Sequence, residues 1–227
     1  MTLSILIGAT VKTNKILLSE ALVYVVDDDV SIRSGLSSLL RSEGIQVRTF
    51  ESSDAFLSTE LPDVPSCLIL DVRLRGASGL TLQQEALREG IRLPIIFLTA
   101  HGDIAMSVQA MKAGAFDFLT KPFRDQHMLD TVSAALQRDD ELRAQERLVA
   151  DIQSKYETLT PREKEVVAFV AEGLMNKQIA DRMGLSEVTV KIHRAQAMRK
   201  MEARAMPDLV RKLQRVAVQN QGAPKAR

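Results

Sequence analysis

The chain has 227 residues, enough for one or two domains, and its 45% hydrophobic and 26% charged residues match an ordinary globular composition. That excludes extended disorder and low-complexity fibres, while a single cysteine, Cys67, excludes a disulfide framework and a multi-cysteine zinc site and fits a reducing, cytoplasmic compartment. The net charge of +1 hides an asymmetry: residues 158–219 carry 12 Lys/Arg against 7 Asp/Glu, and residues 1–157 carry 16 against 22, so an acidic front joins a basic back suited to a polyanion.

No apolar run reaches the roughly 18 residues of a membrane span, and no membrane partner is expected. Residues 1–20 hold a short apolar stretch without a basic leader and read as an N-terminal extension, not a signal peptide. Residues 22–26 are a β-rich run ending in Asp27, Asp28 and Asp29. Residues 31–41 space Ile32, Leu36, Leu39 and Leu40 at the helical period. A short strand over 45–48 and a short helix over 55–60 follow, then a buried strand over 67–70 ending in Asp71. A helix over 80–87 leads to a strand over 94–98 ending at Thr99, a helix over 104–113, and a strand over 116–119 just before Lys121 and Pro122. Five strands alternate with helices, and three are apolar on successive residues, as strands covered on both faces are. The prediction is a doubly wound, five-stranded parallel sheet whose function gathers at the carboxyl ends of its strands.

Residues 123–160 contain no Gly and no Pro, so 125–156 can form one helix of about 48 Å. It reads either as an exposed linker or as a spacer in coiled-coil contact with a second chain. Thr160-Pro161-Arg162-Glu163 is a capping box with proline at the first helical position, and its helix runs to Glu172. Asn176 is expected to cap a second helix, Gly184 to make a turn, and Ser186 to cap a third helix reaching Met201. Pro207 opens a fourth, over 208–218. The expected plan is an extension (1–20), an α/β domain (21–138), a helical linker (139–156), an all-α domain (157–219) with a helix–turn–helix core (176–201), and a frayed tail (220–227).

Asp27, Asp28, Asp71, Thr99 and Lys121 all fall at strand ends. Three clustered carboxylates repel one another and need a cation: a divalent metal, Lys121, or both. Oxygen-only ligands favour Mg²⁺, and a carboxylate beside that ion can attack a phosphoryl group. Each feature also has a plainer meaning. A lone Asp after a strand is usually a helix cap, the reading adopted for Asp29, and Lys-Pro is usually a turn.

The segments Val25-Val26-Asp27-Asp28-Asp29, Leu68-Ile69-Leu70-Asp71, Leu98-Thr99-Ala100 and Phe118-Leu119-Thr120-Lys121-Pro122-Phe123 resemble the receiver domain of bacterial two-component response regulators, with its CheY-like fold, over about 21–139. Gly102-Asp103 and residues 111–115 also match. The resemblance implies that Asp71 is the phosphoacceptor. It implies that Asp27, Asp28, Asp71 and the backbone oxygen of Arg73 hold Mg²⁺, and that Thr99, Phe118 and Lys121 bind phosphate or switch. Phe118 has the alternative of being core. Where the family often has Met-Pro after the acceptor, this chain has Leu74-Arg75, a less rigid loop with an added charge near the pocket, which bears on how long a phosphoryl group lasts.

In the basic half, Val190, Ala197, Met198 and Met201 recur at helical spacing as a core face, opposite Lys191, Ile192, Ala195 and Arg199. A cationic helix of this width suits the DNA major groove, although a merely solvated charged face looks similar. Residues 159–163, 173–180 and 186–194 resemble the LuxR-type helix–turn–helix, and the whole resembles the NarL/FixJ class of regulators, nearest its FixJ-like and StyR-like members. The resemblance implies base contacts from Lys191 and Ile192, backbone contacts from Asn176, Lys177, Thr189, His193, Arg194 and Arg199, and a flanking role for Lys200. Ala195 replaces a lysine found in some relatives. Leu209, Leu213 and Val216 fit either a dimer face or an ordinary core. Expected partners are a sensor histidine kinase, paired promoter half-sites in double-stranded DNA, RNA polymerase, and a second copy of the chain once phosphorylated. The competing reading is an aspartyl-phosphate phosphatase or phosphotransferase built on Asp27-x-Asp29. A third is a module whose basic end meets a protein.

Overall fold

The structure, a computed structural model, describes residues 20–75, 77–99 and 104–222. Ala100, Gly102 and Asp103 lie outside the described residues, as do 1–19 and 223–227. The chain divides into two compact units, Met1–Arg143 and Ala144–Arg227.

The first unit runs β1 (Leu22–Val26), α1 (Val30–Ser42), β2 (Gln46–Phe50), α2 (Ser53–Leu57) and β3 (Ser66–Asp71). A hairpin of two-residue strands, β4 (Arg73–Leu74) and β5 (Ala77–Ser78), comes next. Then follow α3 (Gly79–Arg88), β6 (Ile95–Thr99), α4 (Ile104–Lys112), β7 (Asp117–Thr120) and α5 (Asp125–Glu157), which ends in the second unit. The sheet order is β2-β1-β3-β6-β7, and every pairing is parallel. This is the CheY-like arrangement predicted.

Side chains alternate across a strand, so each strand feeds two cores. Val23, Val25, Ile69 and Leu98 pack with Leu36 and Leu40 of α1 and Met128, Val132 and Leu136 of α5. Tyr24, Val26, Leu68, Leu70 and Phe97 pack on the other face with Phe56, Leu82 and Ala110 of α2, α3 and α4. Each fully buried Val, Leu, Ile, Phe or Met among them contributes about 1.5–3 kcal/mol by leaving water. Cys67 is fully buried, and burial holds its thiol far above the usual range, so it is inert.

The stretch read as a linker is taken up at both ends. Asp139 accepts from the Ser66 backbone N–H (2.8 Å) and from Arg143 Nε (2.6 Å), and Arg143 also reaches Asp63 (2.6 Å). Further along α5, Ile152 and Tyr156 join a core of the second unit.

The second unit continues with α6 (Pro161–Ala171), α7 (Asn176–Met183), α8 (Glu187–Lys200) and α9 (Met206–Gly222), the last running beyond the predicted end at 218. The capping box at α6 forms as predicted: Thr160 Oγ1 accepts from Glu163 N–H (3.3 Å), and Glu163 Oε2 accepts from Thr160 N–H (2.8 Å). Thr160→Ala should therefore cost about 1 kcal/mol in urea unfolding. Asn176 is not the cap of α7. Met175 is, because its backbone N–H donates to Gln178 Oε1 (2.8 Å), which leaves Asn176 as the first helical residue. Gly184 takes the left-handed φ of 65° that the turn between α7 and α8 requires. Leu209 and Leu213 are buried with Ile152, Val167, Ala197 and Met201, so the dimer-face alternative is corrected for these two: their apolar surface is already covered inside the unit. Val216 lies on α9, and its side chain is outside the described residues.

Candidate acidic pocket and nucleic-acid interface

Asp27 and Asp28 follow β1 directly, and Asp71 is the last residue of β3. Neighbouring parallel strands end at the same level, Val26 beside Leu70, which brings these carboxylates together. One oxygen from each lies within 4.8 Å of the others. Asp27 is fully buried; Asp28 and Asp71 are partly so. Lys121, just past β7, donates to Asp27 Oδ2 (2.8 Å) and Asp71 Oδ2 (2.7 Å). Asp27 Oδ1 accepts from Asp29 N–H (2.8 Å), and Asp71 Oδ1 from Arg73 N–H (3.0 Å). Arg75 Nε pairs with Asp28 Oδ2 at 2.8 Å.

Burial pushes the Asp27 carboxyl above its ordinary value, outweighing Lys121 and the Asp29 N–H. For Lys121, burial works against the ammonium, but hydrogen bonds to Asp27 and Asp71 prevail and raise it, so the ammonium persists at neutral pH. The donor set is all hard oxygen, with one member fully desolvated and one lysine for three carboxylates. That suits a small divalent cation such as Mg²⁺. Asp29 stands apart: its side chain caps α1, accepting from Ser31 N–H at 2.7 Å. The paired-aspartate motif of the phosphatase reading is therefore split between a pocket and a helix cap.

Thr99 ends β6, is buried, and accepts from Lys121 N–H through its backbone oxygen (2.7 Å). Phe118 lies on the edge strand β7 and is 39% exposed, so the core alternative for it is excluded.

In the second unit Val190 and Ala197 are buried and fix the inner face of α8. Lys191, Ile192, Ala195 and Arg199 are exposed on the other side, as predicted, and Lys177 is exposed on α7. Thr189, His193 and Arg194 are half-buried. Arg194 Nη1 donates to Asn176 Oδ1, tying α8 to α7, and the hydroxyls of Thr189 and Ser186 share a hydrogen bond of 2.8 Å at the cap.

The chain matches the response regulator receiver domain over residues 23–133 and the luxR family of bacterial regulatory proteins over 157–213. It is 54% identical over 193 residues to nodulation protein W of Bradyrhizobium diazoefficiens, covering 85% of each chain. The chain is a response regulator of the NarL/FixJ class. This regulator is also 43% identical to the response regulator protein TmoT of Ectopseudomonas mendocina, over 87% of its own length and 90% of TmoT. Its structure is similar to that of the response regulator StyR, with a TM-score of 0.78 at 44% identity, covering 86% of this chain and 98% of that one. It is a transcription factor that joins a receiver domain to a LuxR-type DNA-binding domain. Among the described residues no helix is long and apolar enough to cross a membrane.

Two DNA-side expectations change. Lys200 does not present its charge to the open face of the regulator: its ammonium donates to the buried Glu163 carboxylate (2.6 Å) and to the Thr158 carbonyl (3.2 Å). Sequence reasoning also missed Val188, which is 65% exposed at the second position of α8 and four residues before the exposed Ile192. The signal was available, since residues four apart share a helix face. Burial pushes Glu163 upward, but Lys200 and the Thr160 N–H overcome it and hold the carboxyl below its ordinary value of 4.5. A carboxyl lowered by folding stabilises above that value and loses its contribution as pH falls through the folded-state value. The second unit should thus weaken on acidification below pH 4.5, and Glu163→Gln should flatten that acid limb in denaturant midpoints measured against pH.

Proposed function

We propose that the regulator is switched by phosphoryl transfer from a sensor histidine kinase onto Asp71, and that it acts in the cytoplasm on promoter DNA. The observation that carries this reading is the joint hold of Lys121 on Asp27 and Asp71 beside a third carboxylate at the strand ends. A carboxylate oxygen of Asp71 attacks phosphorus, the P–N bond to the kinase histidine breaks, and its imidazole takes the electron pair. Asp27, Asp28, Asp71 and the backbone carbonyl of Arg73 would hold Mg²⁺, which when bound neutralises charge on the transferring group. Lys121 exchanges a bond to Asp71 for one to a phosphoryl oxygen, and the Thr99 hydroxyl engages another. Phe118, exposed beforehand, follows Thr99 inward and changes the surface formed by α4 and β7. A second phosphorylated copy then pairs with the first, placing two α8 helices on paired half-sites where RNA polymerase is engaged. The chemistry ends with the acceptor on the chain itself, which makes this a switch with slow self-dephosphorylation and not a turnover enzyme.

The test is incubation of the full chain with acetyl phosphate and Mg²⁺. The expected result is a mass gain of one phosphoryl group, mapped to the peptide containing Asp71 and absent in Asp71→Asn or with EDTA. Labelling that persists in Asp71→Asn would refute the assignment.

On the DNA side, Lys191 and Ile192 read base edges, flanked by phosphate contacts from Asn176, Lys177, Thr189, His193, Arg194 and Arg199. Lys191→Ala should weaken binding to a site selected from random duplexes by about 1–3 kcal/mol and relax preference at one base position. Lys200→Ala should leave the salt dependence of binding unchanged, because that ammonium already faces Glu163. Fluorescence anisotropy across a salt series measures both.

A further inference from the structure

We infer that Arg75 is a built-in competitor for the cation site, setting how much divalent ion the receiver needs before it can accept phosphate. The inference rests on the cation reading of the pocket given above. Three carboxylates against the single ammonium of Lys121 leave two negative charges without compensation, which is what a divalent cation matches. Arg75 takes one of those two. Its Nε lies 2.8 Å from Asp28 Oδ2, an oxygen of the same acidic group. An ion drawing on that oxygen must displace a guanidinium or share the carboxylate with it.

The hairpin places the arginine there. Arg73 pairs with Ser78 and Leu74 with Ala77, and Leu74 is buried among Val72, Leu70 and their neighbours, so the strand is pinned one residue before Arg75. The Arg75 side chain itself is 87% exposed, whereas that of Asp28 is 24% exposed. Its pairing is therefore weak enough to be given up, and its removal leaves no hole in the fold.

Full-length protein titrated with Mn²⁺ and followed by the electron paramagnetic resonance of the free ion reads the site without any phosphoryl donor. Arg75→Gln keeps a polar side chain that can still donate a hydrogen bond but removes the charge. It should bind Mn²⁺ about 3- to 10-fold more tightly than wild type, the sum of a lost exposed ion pair and a lost repulsion at short range. Arg75→Lys should stay near wild type. Equal affinity in Arg75→Gln and wild type, with both binding, overturns the competitor role and leaves the cation site standing. Absence of Mn²⁺ binding in wild type and both variants removes the cation site itself and the inference with it. Unchanged urea midpoints in the absence of metal confirm that the substitutions act on the site and not on folding.

Discussion

Replacing Lys121 by methionine should cost the first unit about 3–5 kcal/mol at neutral pH in metal-free buffer, the range for removing one partner of a buried ion pair. The lysine side chain is 22% exposed, and its partners Asp27 and Asp71 are 0% and 14% exposed, so water does little to replace it. Methionine keeps the bulk and removes the charge, which leaves the buried Asp27 carboxylate with the Asp29 N–H bond at Oδ1 and without the ammonium at Oδ2. Three consequences separate this from a packing defect. Asp27 is already raised by burial and loses the group that lowers it, so the folded state binds protons more readily than the unfolded one over a window starting near 3.8 and extending upward. Stability falls with rising pH across such a window, so the defect should shrink on acidification. A second substitution, Asp71→Asn, should restore part of the loss, because one of the stranded charges goes with it, and the coupling should be of order 0.5–3 kcal/mol. Added Mg²⁺ should also restore stability by binding the folded form alone. Urea unfolding of the four proteins in EDTA and in Mg²⁺ decides the matter; a single mutant within about 1 kcal/mol of wild type, insensitive to both pH and metal, would sink it.

How much of this could be read beforehand depends on which physical signal carries each residue. The sheet was legible because buried parallel strands are apolar on successive residues, and each apolar run stops at a polar residue, Asp27 after β1, Asp71 at the end of β3 and Thr99 at the end of β6. The pocket followed from that same feature, since adjacent strand ends must converge. The Thr160 capping box was legible because both of its bonds lie within four residues. Contacts set by distant parts of the chain were not legible. Lys200 and Glu163 are 37 residues apart, and nothing in a basic helix marks which of its lysines turns inward. Arg75 reaches Asp28 only because strands of two residues fold back, and two residues have no periodicity to detect. Asn176 outranks Met175 as a capping residue by intrinsic preference. The Gln178 side chain, bonding back to the Met175 N–H, decides otherwise. Leu209 and Leu213 carried the helical spacing that a core and a dimer face share, so only their burial among Ile152, Ala197 and Met201 separates the two readings.

Gly79→Ala should destabilise the first unit by about 3 kcal/mol, at the upper end of the cost of overpacking, and should slow phosphoryl uptake at Asp71 as well. Gly79 opens α3 where the chain returns from the β4–β5 hairpin, and its N–H donates to the Val72 carbonyl at 2.9 Å. A Cβ placed there would stand 2.3 Å from the Asp71 carbonyl oxygen, 3.2 Å from its carbonyl carbon and 3.2 Å from Leu70 Cγ. Two of these neighbours are backbone of a strand paired on both sides, so neither can swing away as a side-chain tip would. The methyl group must therefore push α3 outward or move the main chain that carries the Asp71 carboxylate. The requirement is one of space and not of conformational freedom. Gly35 provides the control, lying mid-helix in α1 with no atom within 4 Å of an added Cβ. Gly35→Ala should stabilise by about 0.5–1 kcal/mol through helix propensity alone. Opposite signs for the same chemical change in urea unfolding, with slower labelling by acetyl phosphate confined to Gly79→Ala, would tie the defect to the close approach of α3 to Asp71. A Gly79→Ala protein as stable as wild type would mean that the helix start yields without disturbing the strand, and the placement of Asp71 would then owe nothing to the absence of a side chain at that position.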